Sequence, residues 1–71
     1  MPYYVYVLFS KDYDRYYIGQ TQNLLDRLER HNSGTEKATT PYIPWTLLWH
    51  TEKPTRAEAM DLERKLHTGI L

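Results

Sequence analysis

With 71 residues the chain has room for one small domain (1–71). Such a domain buries only about 60% of its unfolded surface and so leans on its large side chains, here seven tyrosines and two tryptophans. The lack of cysteine excludes disulfides and thiolate zinc sites and suits a cytoplasmic setting; no apolar run reaches membrane-span length, and no signal-peptide pattern opens the chain. Nine basic and nine acidic side chains cancel, which excludes strong indiscriminate binding to nucleic acid by bulk charge.

Taken in chain order, YYVYVLFS (3–10) is rich in β-branched and aromatic residues, with apolar groups at odd and even positions alike. It reads as a strand covered on both faces. KDYDR is a polar turn and YYIGQ (16–20) a second strand, giving a hairpin. A helix follows from the N-cap Asn23 to about Asn32, with Gly34 as its stop. TEKATTPYIP (35–44) is a loop. WTLLWHTE (45–52) is a third strand, with Trp45, Leu47 and Trp49 expected on one face and Thr46, Leu48 and His50 on the other. A last helix opens on the capping box Thr55-x-x-Glu58 and runs to about His67, with Gly69 just beyond. The order β-β-α-β-α predicts an α/β (α+β) fold with a three-stranded antiparallel sheet flanked by helices.

Helical phase singles out three polar residues. On the first helix Leu24, Leu28 and Leu25 fall at about 0°, 40° and 100° and define the expected buried stripe; His31 and Arg27 border it at about −20° and −60°. Arg27 is readable as a snorkelling side chain, and His31 as a C-terminal histidine favoured by the helix dipole. On the second helix Ala59, Leu62, Leu66 and Met60 form the apolar arc, and Glu63 lies inside it at about 40°, with His67 near its rim. A carboxylate there needs a partner, such as Arg27 or His67, or a cation such as Mg²⁺, which typically takes one or two carboxylates plus waters and phosphate. Tyr4 and Tyr6 share a face of the first strand, and Tyr17 sits beside Gly19 on the second. Tyrosines in so small a sheet are first of all core residues. Gly19 suits a strand end with positive φ or a close backbone approach. The three histidines have no metal-motif spacing, and there is no glycine-rich phosphate loop, cysteine nucleophile or G-x-S-x-G turn.

The ordered set Tyr4-Val5-Tyr6, Tyr17-Ile18-Gly19, Arg27, His31 and Glu63, with HNSG, PWTLLWH and TRAEA between and after, resembles the GIY-YIG endonuclease superfamily over nearly the whole chain, and its small stand-alone bacterial members above all. That resemblance implies a metal-dependent DNA endonuclease in which Tyr17 and Tyr6 position or deprotonate the attacking water. By the same resemblance Arg27 holds the scissile phosphate, Glu63 is the sole protein ligand of Mg²⁺ or Mn²⁺, His31 contacts the phosphate or water network, and Gly19 lets the backbone turn close to the site. The partner implied is DNA, whether branched, nicked or single-stranded, in pathways such as DNA repair.

The chain departs from the pattern in three places. Tyr-Val-Tyr replaces Gly-Ile-Tyr; Gln20 stands where some relatives carry lysine; and eight residues follow Glu63, where relatives usually continue with a basic tail or helix. Lys11, Arg15, Arg30 and Lys37 form a basic rim or simply a solvated surface. A non-catalytic nucleic-acid-binding module on the same fold, and an interaction domain using Trp45 and Trp49, are the alternative readings.

Overall fold

The central strand of the sheet is the first one in the chain. In the computed structural model, which describes residues 2–69, β1 (Tyr3–Ser10) lies between β2 (Arg15–Thr21) and β3 (Thr46–Lys53), antiparallel to both. Two helices complete the order β-β-α-β-α: α1 (Leu24–Ser33) and α2 (Arg56–Gly69). Val5 to Leu8 are all buried, as expected for a strand covered twice. Tyr6 and Leu8 form one core with Trp45, closed by Leu24 and Leu28 of α1. By strand alternation Val5 and Val7 point the other way. There Leu66 of α2 borders an apolar hollow with Val7 and Trp49.

Local signals set most element ends. Asn23 caps α1 by accepting the Asp26 amide at 3.1 Å, and Gly34 ends it in the left-handed conformation at φ 86°. Thr55 accepts the Glu58 amide at 3.2 Å at the start of α2, while its hydroxyl donates to the Glu58 carboxylate at 3.0 Å. The hairpin turn over 11–14 needs one left-handed residue, Asp14 at φ 52°, which aspartate tolerates better than most side chains.

Three expectations about faces are corrected. Leu25 is 77% exposed, so the buried stripe of α1 is turned toward His31, the helix's one fully buried residue. Met60 is also exposed, leaving Ala59, Leu62 and Leu66 as the inner stripe of α2. On β3 a bulge intervenes: Val7 pairs with Trp49 but Leu8 pairs with Leu47, so Leu48 has no opposite number. The extra residue shifts the phase of the strand. Leu47 therefore joins Trp45 and Leu8, whereas Trp49 lies with Val7 on the other side, half exposed.

The 35–44 loop is irregular apart from a 3₁₀ turn at Thr40–Tyr42, but it is well tied down. Asn32 uses both ends of its carboxamide on Trp45, accepting the backbone amide at 2.6 Å and donating to the carbonyl at 2.9 Å. Trp45 Nε1 donates to the Thr39 carbonyl at 2.9 Å, and Ser10 Oγ to that of Tyr42 at 2.7 Å. These bonds hold the loop over the end of α1.

Candidate active site

Register places Gly19 directly opposite Tyr6. The Tyr6 ring lies over that gap: a Cβ on Gly19 would sit 2.7 Å from the Tyr6 hydroxyl oxygen, 2.9 Å from its Cζ and 3.0 Å from Tyr17 Cε2. Gly19 is thus needed for close approach, not for a positive φ, and it stands inside β2 instead of at its end. Tyr17, two residues earlier, is on the same face of the strand, its ring centroid 6.2 Å from that of Tyr6.

His31 completes the cluster from α1. Its ring is 4.8 Å from Tyr17 and 5.9 Å from Tyr6, and it is 1% exposed. Both ring nitrogens are engaged: Nε2 is 3.0 Å from the Tyr6 hydroxyl and Nδ1 is 2.8 Å from Thr39 Oγ1. Thr39 Oγ1 in turn lies 3.3 Å from the Glu36 carbonyl, which it reaches as a donor. That carbonyl already receives the Thr39 and Thr40 amides and the Thr40 hydroxyl. The chain of bonds therefore has two satisfied polarities: Tyr6 to His31 to Thr39 to Glu36, or Thr39 to His31 to Tyr6. Burial, aided by Arg27 and Arg30 and opposed by Glu36, lowers the His31 pKa below its ordinary 6.5, which keeps the ring neutral at neutral pH. Burial also pushes the Tyr6 hydroxyl well above its usual value, with Tyr17 and the carboxylates of Glu36 and Glu63 adding and Arg27 opposing. Tyr17 is raised for the same leading reason. Both phenols are protonated at rest.

Arg27 and Glu63 approach this cluster from different helices. The Arg27 guanidinium donates to Glu36 Oε1 at 3.0 Å and is one-third exposed; Arg30 reaches the same oxygen at 3.5 Å. The expected partners of Glu63 thus reduce to His67, at 4.0 Å, with its carboxylate still 29% exposed. Charge on Arg27 and on Glu63 acts on both phenols, in opposite directions. Of the expected basic rim, Arg15 stacks over the Tyr42 ring at 4.3 Å and Arg30 is engaged by Glu36. Among the described residues no three His, Cys, Asp or Glu side chains gather as a metal cage. A lone, half-open carboxylate is nonetheless a donor set that suits Mg²⁺ or Mn²⁺, whose other positions are filled by water and phosphate oxygens.

A GIY-YIG catalytic-domain model matches residues 2–68. The chain belongs to the GIY-YIG family. Its two motif segments, Tyr4-Val5-Tyr6 and Tyr17-Ile18-Gly19, lie on the adjacent strands β1 and β2 and overlap at the Tyr6–Gly19 pair, which is why Tyr6, Tyr17 and Gly19 meet. The fold is similar to the solution structure of a UPF0213 protein from Bacillus halodurans, at 33% identity and a TM-score of 0.57, over 96% of this chain and 72% of that one. Among curated proteins no match is found. This GIY-YIG domain is of nuclease type, and among its described residues no helix is long and apolar enough to cross a membrane. Sequence reasoning missed Glu36 and Thr39. Both lie in a loop without periodicity, where nothing local announces that the carbonyl and the carboxylate of Glu36 will bond two different side chains, those of Thr39 and Arg27.

Proposed function

We propose that this protein cleaves DNA by hydrolysing a phosphodiester bond, with Mg²⁺ or Mn²⁺ held by Glu63. The observation that carries the reading is the Tyr6–Tyr17–His31 cluster lying within electrostatic reach of both a guanidinium and a carboxylate. The bound cation would supply Lewis-acid polarisation of the phosphate and charge neutralisation at the leaving oxygen. Arg27, whose planar fork matches two phosphate oxygens, binds the scissile group and stabilises the charge that develops on it. In the polarity where Tyr6 donates to His31, the lone pairs of the phenol are free to receive a proton from water. The water oxygen attacks phosphorus, its proton passes to Tyr6 as that of Tyr6 passes to His31 Nε2, and the bond to the leaving oxygen breaks, with solvent supplying a proton there. The reverse relay from His31 through Tyr6 then returns a proton to solvent and restores the neutral ring. His31 thus acts through Tyr6, to which its Nε2 is bonded, and a resting phenolate is not required. Tyr17 orients the water beside it.

The test is nicking of supercoiled DNA with Mg²⁺ or Mn²⁺. The parent is expected to nick; Arg27→Ala is expected to be slower by about 10²–10³-fold, as for lost oxyanion donors, and Glu63→Ala to lose the metal-supported nicking. A folded parent that binds DNA but never cuts it, across both metals and a range of pH, would assign the chain to the non-catalytic binding module instead.

A further inference from the structure

A cavity of about 350 Å³ opens where β1 begins and β2 runs out, and Arg27 forms part of its wall. Sites for small ligands span about 300–1,000 Å³. This one has room for a single sugar and base. Its other walls come from three elements. Arg56, the first residue of α2, brings a second guanidinium, and among the described residues no carboxylate lies within 4.0 Å of it. Gln20, Gln22 and Asn23 bring carboxamides; the Asn23 oxygen is spent on the Asp26 amide, which leaves its NH₂ group for the cavity. Tyr3 adds a half-buried ring.

Position matters as much as content. Gln20 pairs with Val5 and so alternates with Tyr3 onto the face of the sheet away from Tyr6, which places the cavity round the β2 edge from the tyrosines, with Arg27 in its wall. With Arg27 on the scissile phosphate, the reading on which this inference rests, Arg27 is the residue shared by the tyrosine cluster and the cavity, and a nucleic-acid strand held there reaches the cavity with the nucleotide beside that phosphate. We infer that the cavity binds one unpaired nucleotide next to the cleaved phosphate, and that the substrate is DNA with single-stranded character at the cut. Arg56 takes the flanking phosphate, the carboxamides meet the base edge, and Tyr3 offers a stacking face. Extruding a base costs least where it is already unpaired, which makes such a cavity selective. A chain of zero net charge has little general attraction for duplex DNA, so a local nucleotide site supplies the grip that bulk charge does not.

The experiment is an NMR titration of the intact chain, without metal, against the hexanucleotide (dT)₆ and against a blunt hairpin duplex. The hexanucleotide is expected to shift the side-chain amides of Gln20, Gln22 and Asn23 and the Arg56 Nε–H, and the hairpin to leave them in place. Arg56→Gln is expected to weaken (dT)₆ binding by about tenfold, the loss of one charge-assisted contact. Gln22→Ala, which keeps every charge, is expected to weaken it as well. Shifts mapping elsewhere, an equal response to the hairpin, or unaltered affinity in both variants would overturn the inference. Because no turnover is read, failure of the nuclease reading stays separate: a chain that binds (dT)₆ in the cavity and never nicks keeps the site and loses the activity. A chain that nicks while (dT)₆ ignores the cavity does the reverse.

Discussion

Replacing Gly19 with alanine is the smallest change that reaches the centre of the proposed chemistry. The new Cβ would lie 2.7 Å from the Tyr6 hydroxyl, and ordinary contact begins at 3.4 Å, so the hydroxyl must retreat by about 0.7 Å. It has nowhere free to go: the Tyr6 side chain is 1% exposed and packed among Leu8, Trp45 and Tyr17. The 3.0 Å bond to His31 is the feature that gives way. Leaving buried polar groups poorly paired costs about 1–3 kcal/mol. Misplacement of a reacting group by about 1 Å costs about 10²-fold in rate. The assays are urea unfolding and nicking of supercoiled DNA, with Gly34→Ala as the comparison. Gly34 sits at φ 86° at the end of α1, where a side chain costs about 1–2 kcal/mol in backbone strain, but an added Cβ there meets nothing closer than 3.9 Å. Both variants are expected to lose similar stability, and Gly19→Ala alone to lose rate. Parent-like nicking by Gly19→Ala, or equal loss of rate in the two, would refute the account of Tyr6 given above.

Other outcomes follow from the same network. Thr39→Val removes the partner of His31 Nδ1 inside the core and is expected to cost about 1–3 kcal/mol by denaturant unfolding, whereas Glu36→Gln, which weakens a pair about one-third exposed, costs less than about 1 kcal/mol. His31 has a folded pKa below its unfolded value, so the unfolded chain takes up the proton first as pH falls; unfolding free energy is expected to be flat above pH 6.5 and to decline below it, and the slope to vanish in His31→Gln. The acid limb of the nicking rate is expected to fall below pH 6.5 as well, since a charged imidazole has no lone pair left for the Tyr6 proton; a limb at or above 6.5 would assign the titration to another group.

How far the sequence discloses this arrangement differs by element. Strand composition, the Asn23 and Thr55 caps and Gly34 mark the elements to within about two residues, because each acts through its near neighbours. Helical phase brings Arg27 and His31 to the border of the core, but it misplaces Leu25. Leucine is read as buried on hydrophobicity alone, while here a histidine with both nitrogens bonded takes the inner position. Alternation along the third strand fails at Leu48 because a bulge is set by pairing with β1, which the strand's own residues do not encode. Gly19 is legible as a special position, yet the reason for it, the ring of Tyr6 lying across from β1, appears only with the register.

Glu36 carries one further consequence. Its carboxylate anchors Arg27 and, in the polarity in which Tyr6 donates to His31, its carbonyl terminates the bonds that run through Thr39, so the arms proposed to bind phosphate and to accept the proton are both referenced to one residue. Displacing Glu36 therefore disturbs both arms at once. Among the described residues the side chains of Ser33 and Thr35 bond only each other and the Arg30 carbonyl, so they can change at little cost to either arm, whereas Gly34 is fixed by its φ of 86°. The length of this stretch cannot change, because a single inserted residue would offset Arg27 from its own reference point and leave the geometry of the pair to chance.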